Sequence, residues 1–207
     1  MRALRIVVLT LVIAGAALLA YAWSGTYDVG ADAPHSRAVH RLLDMARDRS
    51  VDARAASITV PALDDAEQLR HGAGNYAAMC VECHLRPGQD SSEMHRGLYP
   101  RPPALASHER HEPAADFWVI KHGIKASGMP AWGKSMDDTS IWGLVAFIQK
   151  LPTMSPEAYH EAVETSGGHH HGGPGEDEAT PAEAAPPAAE HDDGHDHDHD
   201  HEHSHDS

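Results

Sequence analysis

The sequence predicts an all-α protein, and three observations carry that prediction. Ile6 to Trp23 is an uncharged apolar run of about 18 residues, close to what a membrane-spanning helix needs. Leu69, Ala73, Tyr76, Ala77 and Cys80, and later Ile141, Leu144, Val145 and Ile148, recur at helical spacing. No stretch alternates apolar and polar residues well enough to be a strand.

The first element, residues 1–25, reads as a signal anchor. Arg2 and Arg5 precede the apolar run, which places the N-terminus in the cytoplasm and everything after the run outside. Ala20-Tyr21-Ala22 has the small-residue pattern of a signal-peptidase site, but the run is longer than a usual export signal, so a retained single-pass transmembrane helix is expected. Residues 26–60 form a connector. Pro34 can begin a short helix there, with Val39, Leu42, Leu43 and Ala46 on one face, expected to pack on the adjoining domain. His35 and His40 have no evident partner set and read as solvated side chains.

Pro61 opens the next segment, and Asp64 followed by Glu67 resembles a capping box for a helix running toward residue 80. Gly72 and Gly74 would each weaken that helix by about 1 kcal/mol relative to Ala. Close approach of another helix is the expected reason for them. Asp137 is the expected N-cap of a later helix, Asp138 suits its positive end, and Lys150 its negative end before Pro152. Trp142 and Phe147 fall at the margins of its apolar stripe. A third short helix is expected near 113–122, with Phe117 and Ile120 inward and Gly123 as C-cap.

Between the first two of these helices stands Cys80-Val81-Glu82-Cys83-His84, a C-x-x-C-H motif. This spacing is the signature of covalent c-type haem attachment. Two sulfurs bond one porphyrin edge, and the next residue is then near enough to ligate the iron. Cys80 and Cys83 would be the tethers and His84 the proximal ligand. A zinc site wants about four ligands, and the chain has no third cysteine. A thioredoxin-type pair expects a βαβ setting, whereas these flanks read as helices.

With these positions in view, residues 61–153 resemble a class I monohaem cytochrome c of the membrane-anchored bacterial kind. Gly72 and Tyr76 stand eight and four residues ahead of Cys80, as the glycine and aromatic of that family's N-terminal helix do. Leu144 and Phe147 resemble its crossing C-terminal helix, Pro103-Ala104-Leu105 its proline-x-leucine segment, and Gly128-Met129-Pro130 its distal-methionine loop. The resemblance implies a small helical domain around one covalent haem c. It implies that the Pro103 carbonyl accepts a hydrogen bond from His84 and that Met129 is the second iron ligand. Gly128 and Pro130 suit a loop that turns a thioether inward, whereas Met94, Met136 and Met154 read as core or surface filler. Trp118, Trp132, Arg96 and Arg101 are candidates for packing on the macrocycle or neutralising a propionate, with ordinary packing or solvation equally expected. His71, His95, His108, His111 and His122 read as surface residues.

With both axial positions filled by protein, outer-sphere electron transfer is expected rather than catalysis. Peroxidase or metal-oxidase activity would require Met129 to leave the iron. Redox proteins meeting the domain by transient contact are the expected partners.

The formal charge of −15 is uneven: residues 169–207 carry twelve Asp or Glu and no Lys or Arg. Nothing in the balance offers the basic face that nucleic acid requires. Residues 154–207 are expected to form a disordered acidic tail, since the pattern fades from Ser155 and the Gly, Pro, Ala, acids and His of residues 166–207 cannot bury enough apolar surface to fold. Two histidine groups stand within it, His169-His170-His171 and the alternating set His195, His197, His199, His201, His203 and His205. Imidazole favours Cu, Ni and Zn. A solvated acidic tail is the bland reading. The sharper alternative is a transition-metal binding or sensing protein whose tail is primary and whose haem is coupled to it. In either case the expected location is the bacterial inner membrane, with the haem domain and tail in the periplasm.

Overall fold

The computed structural model describes residues 1–107 and 112–169, and among them there are helices and turns but no strand. Apart from His169, every tail histidine named above lies outside the described residues, as do His108 and His111.

Helix α1, Arg2–Trp23, buries none of its side chains against the rest of the protein. At 22 residues it is about 33 Å long, enough to cross a hydrocarbon core of about 30 Å. It is a candidate membrane span. Helix α2, Arg37–Ala55, is longer than the short helix expected and starts at a Ser36 cap on the Val39 amide.

Helix α3, Ala66–Met79, is capped by Asp65, whose carboxylate accepts from the Gln68 amide at 2.8 Å. The cap is therefore one residue beyond the Asp64 expected. The one-turn helix α4, Val81–His84, follows directly, and α5, Glu93–Gly97, comes after a loop. Helix α6, Pro113–His122, ends at Gly123 in the left-handed region (φ 65°). Helix α7, Asp138–Ile148, starts at Asp137, which accepts from the Ser140 amide at 2.7 Å. Both ends fall where the sequence placed them. Helix α8, Pro156–Glu164, is new: Ser155 caps it, and Pro156 occupies its first turn.

The core is the crossing of α3 and α7. A Cβ on Gly72 would stand 2.1 Å from the Gly143 carbonyl oxygen, and one on Gly143 would stand 3.0 Å from that of Gln68. The two backbones meet where neither has a side chain. Gly74 has a different neighbour from the one expected. Its Cβ would stand 2.0 Å from the Gly168 carbonyl, in the segment following α8. Around the crossing, Tyr76, Ile141, Leu144, Val145 and Phe147 are at most 2% exposed, so Phe147 is central rather than marginal. Phe117 of α6 stacks on Trp142 at 4.2 Å between ring centroids.

Helix α8 changes the expected boundary. Tyr159 is 3% exposed and packs against Tyr76 and Phe147 at 6.4 and 6.1 Å between centroids. Ser166 is wholly buried, and its carbonyl accepts from Arg70 of α3 at 2.9 Å. The packed domain thus continues through residue 168 rather than ending at 153. The apolar marks Tyr159, Ala162 and Val163 are too few to announce a core helix. Their value comes from a groove between α3 and α7 that only the fold creates.

Helix α2 reverses another expectation. Its C-terminal half packs on α6, with Val51 and Ala55 buried and the Arg54 guanidinium 5.7 Å from the Trp118 ring. The stripe of Val39, Leu42, Leu43 and Ala46 is exposed.

Candidate functional site

Helix α3 carries Cys80 at its C-cap, α4 carries Cys83 and His84 on a single turn, and Leu85 then breaks the helix at φ 63°. A helix end leaves carbonyls without partners, and here four in succession are satisfied from elsewhere in the fold. The Ser92 hydroxyl donates to the Glu82 carbonyl. The His95 ring donates through Nδ1 to that of Cys83 at 2.9 Å. The Leu105 amide donates to His84 at 3.0 Å, and the buried Tyr76 hydroxyl donates to Leu85 at 2.6 Å. The motif turn is held by α3, by the α5 cap and by the segment after α5.

That same segment orients His84. Its Nδ1 lies 2.9 Å from the Pro103 carbonyl oxygen, the contact expected. A carbonyl only accepts, so the proton sits on Nδ1 and the lone pair on Nε2. Burial holds the His84 pKa below its ordinary value; the Pro103 hydrogen bond opposes this and His95 adds to it. The imidazole is neutral at physiological pH, the form that ligates a metal.

Neither Cys80 nor Cys83 is in a disulfide. Burial, with Cys83 beside it, pushes the Cys80 thiol up to about 12. Burial and Glu82 raise that of Cys83 as well.

Met129 sits in the loop after α6. A Cβ on Gly123 would be 2.7 Å from the Met129 carbonyl oxygen, which accepts from the Ile124 amide at 3.2 Å. Ser127 ties the turn from within: its hydroxyl donates to Ile124 at 2.8 Å and accepts from the Met129 amide at 3.1 Å. Gly128 faces Leu98, whose side chain a Cβ would meet at 2.5 Å. The methionine loop therefore rests on the segment after α5 that also supplies Pro103 and Leu105. Met129 is partly buried against the core cluster, as are Cys80, Val81 and Leu105. Of the other methionines, Met136 is core at 4% exposure, Met94 is 51% exposed, and Met154 lines a cleft with Leu69 and Phe147.

The segment from the start of α3 to the end of α7, residues 67–148, matches the family model described as cytochrome c oxidase, cbb3-type, subunit III. This segment is a monohaem c-type cytochrome domain. No curated protein and no solved structure matches the chain. The cytochrome domain implies haem c, and its residues fit that group: two unpaired thiols and an imidazole with its donor nitrogen already engaged.

The remaining candidates of the cytochrome domain are placed less centrally. Trp118 lies between Arg54 and His122, Trp132 packs at the edge of the core, and Arg96 donates to Ser91 at 3.0 Å. Arg101 lines a cleft facing α2. His95 is not a surface residue: it is 8% exposed and bonded to the motif turn. Sequence reasoning missed His95, Ser92 and the Tyr76 hydroxyl as supports of the motif. The one available signal was Ser92 three residues before His95, a cap for a very short helix. His35 and His40 also have partners, the Tyr27 hydroxyl at 2.7 Å and Asp44 at 3.2 Å.

Proposed function

We propose that this protein is a membrane-tethered single-electron carrier with one covalent haem c. Cys80 and Cys83 hold the haem, His84 and Met129 are its axial ligands, and Pro103 fixes the His84 ring. The observation that carries this is the 2.9 Å bond from His84 Nδ1 to Pro103, two residues ahead of an amide that also binds the motif turn. Haem supplies a reversible one-electron iron couple, and the chain decides how that couple is used.

Pro103 keeps a proton on Nδ1, which makes the imidazole a better donor through Nε2. A neutral thioether opposite favours the ferrous state and raises the potential relative to two histidines. With Met129 and His84 both holding the iron, no place would remain there for substrate, and the haem would supply electron exchange with a transient partner. Peroxidase or metal-oxidase chemistry would need Met129 displaced. Arg2 and Arg5 before α1 orient the anchor with the domain in the periplasm, at the inner membrane.

The test is a redox titration of the full chain in detergent beside its Met129→His variant. The reading expects one haem per chain that survives denaturation, and a potential that falls clearly in the variant. An unchanged potential, or haem extractable by acid and solvent, would sink it.

A second reading rests on the alternation of His195 to His205 with Asp, Glu and Ser. That segment binds copper, nickel or zinc through imidazole and carboxylate together. Metal titrations of the potential, with and without residues 170–207, distinguish a separate chelator from a metal-responsive haem. A shift that needs the tail supports coupling.

A further inference from the structure

The exposed apolar face of α2 has a stated position in the chain, and that position says what covers it. Val39 is 43% exposed, Leu42 58%, Leu43 50% and Met45 55%, and Ala46 beside them is exposed too. Val39, Leu42, Leu43 and Ala46 share one side of the helix at i, i+3, i+4 and i+7, with Met45 at its edge. The other side faces the protein. There His40, Asp44 and Arg47 line a cleft with Arg96, Tyr99 and Arg101, and Val51 and Ala55 are buried further along. A soluble helix does the opposite, turning its apolar stripe inward.

Thirteen residues, 24–36, separate the end of α1 from the start of α2, so α2 starts within about 45 Å of the anchor's end even if they were fully stretched. They are not fully stretched: Gly30 bonds back to Asp28, and Ala33 to Gly30. Trp23 at 93% exposure, Tyr27 at 46% and Val29 at 88% continue the apolar surface from anchor to helix, with the rings suited to the headgroup level. Helix α2 carries five arginines against three aspartates, a positive segment in a chain of net charge −15. Asp48 lies on the side opposite Val39, whereas Arg49 continues the Leu42 row two turns on. An apolar stripe with net positive charge, tied to a membrane helix, is the composition of an interfacial helix.

We propose that α2 lies on the outer surface of the bilayer that α1 crosses, its Val39, Leu42, Leu43 and Ala46 stripe in the headgroup–acyl boundary of anionic lipid. This rests on the reading of α1 as a retained anchor. Because the other end of α2 is locked onto α6 through Val51, Ala55 and Arg54, the contact fixes how the cytochrome domain is turned toward the membrane.

The test uses the full-length holoprotein in vesicles of phosphatidylcholine and phosphatidylglycerol, spin-labelled through one of three single variants: Gly15→Cys, Leu42→Cys or Asp48→Cys. Collision with oxygen, which concentrates in lipid, is compared with collision with chromium oxalate, which stays in water. The Leu42 position should behave as Gly15 does, open to oxygen and with chromium oxalate collisions lost, while Asp48 shows the reverse. With Gly15 in lipid, a Leu42 label as open to chromium oxalate as Asp48 overturns the placement of α2 alone. A Leu42 label shielded from both reagents also overturns it, in favour of a protein partner or a second copy. A Gly15 label open to chromium oxalate overturns the anchor and this placement together.

Discussion

The His84 ring is held in one tautomer, and the Pro103 carbonyl selects it at 2.9 Å. His95 works one bond further out, holding the Cys83 carbonyl from a buried position. Loss of a buried hydrogen bond that strands its partner costs about 1–3 kcal/mol. His95→Ala should lower stability in denaturant melts by about that much, while His95→Asn, whose amide nitrogen can reach where Nδ1 does, should recover part of it. Equal losses in both would assign His95 to packing alone. Tyr159 has a consequence for pH. Burial raises its phenol to about 12, above the value near 10 of an unfolded tyrosine, so the folded state favours the neutral form. That stability is fully present below about pH 10 and is lost as pH rises toward about 12. Tyr159→Phe should flatten the alkaline fall in helicity by circular dichroism. Among these residues the C-x-x-C-H motif was legible because its spacing lies within five consecutive positions. His95 was not, because a single histidine between Met94 and Arg96 carries no periodic mark.

At the scale of elements, the α3–α7 crossing depends on backbone contact. Gly72→Ala would put a Cβ at 2.1 Å from the Gly143 carbonyl, and the helices cannot part without opening the core around Tyr76 and Phe147. Overpacking of this kind costs about 1–3 kcal/mol or more, despite the gain of about 1 kcal/mol in helix propensity. A thermal melt raised rather than lowered by the substitution would refute the crossing. Helix α8 makes a second case. A chain ended at 153 loses Tyr159 from between Tyr76 and Phe147, and removing a large buried aromatic costs about 3–5 kcal/mol. Chains ended at 153 and at 169 should therefore differ in denaturant midpoint, with the longer one retaining full stability. The ends of α6 and α7 were readable from Gly123 and Asp137, since capping is local chemistry. The direction in which α2 turns its stripe was not, since periodicity locates a face without saying what it meets.

For the whole molecule, the cytochrome domain is small, and the haem c that such a domain implies would add apolar mass to an otherwise marginal core. Replacing both Cys80 and Cys83 with Ala should abolish the cooperative melt of the domain; a sharp transition in that variant would show that the helices hold without the cofactor. By itself the sequence determined the helical class, the apolar N-terminal run, the C-x-x-C-H motif and the family of the domain, because each is written in contiguous spacing or in short-range chemistry. Only the tertiary structure decided that the domain runs on through α8, that four separate groups hold the motif's carbonyls, and that the stripe of α2 points outward. Those outcomes depend on residues tens of positions apart arriving at one place, such as Gly74 meeting Gly168 and the Leu105 amide meeting the His84 carbonyl. Contacts of that range leave no period in the chain and exist only once the backbone has closed on itself.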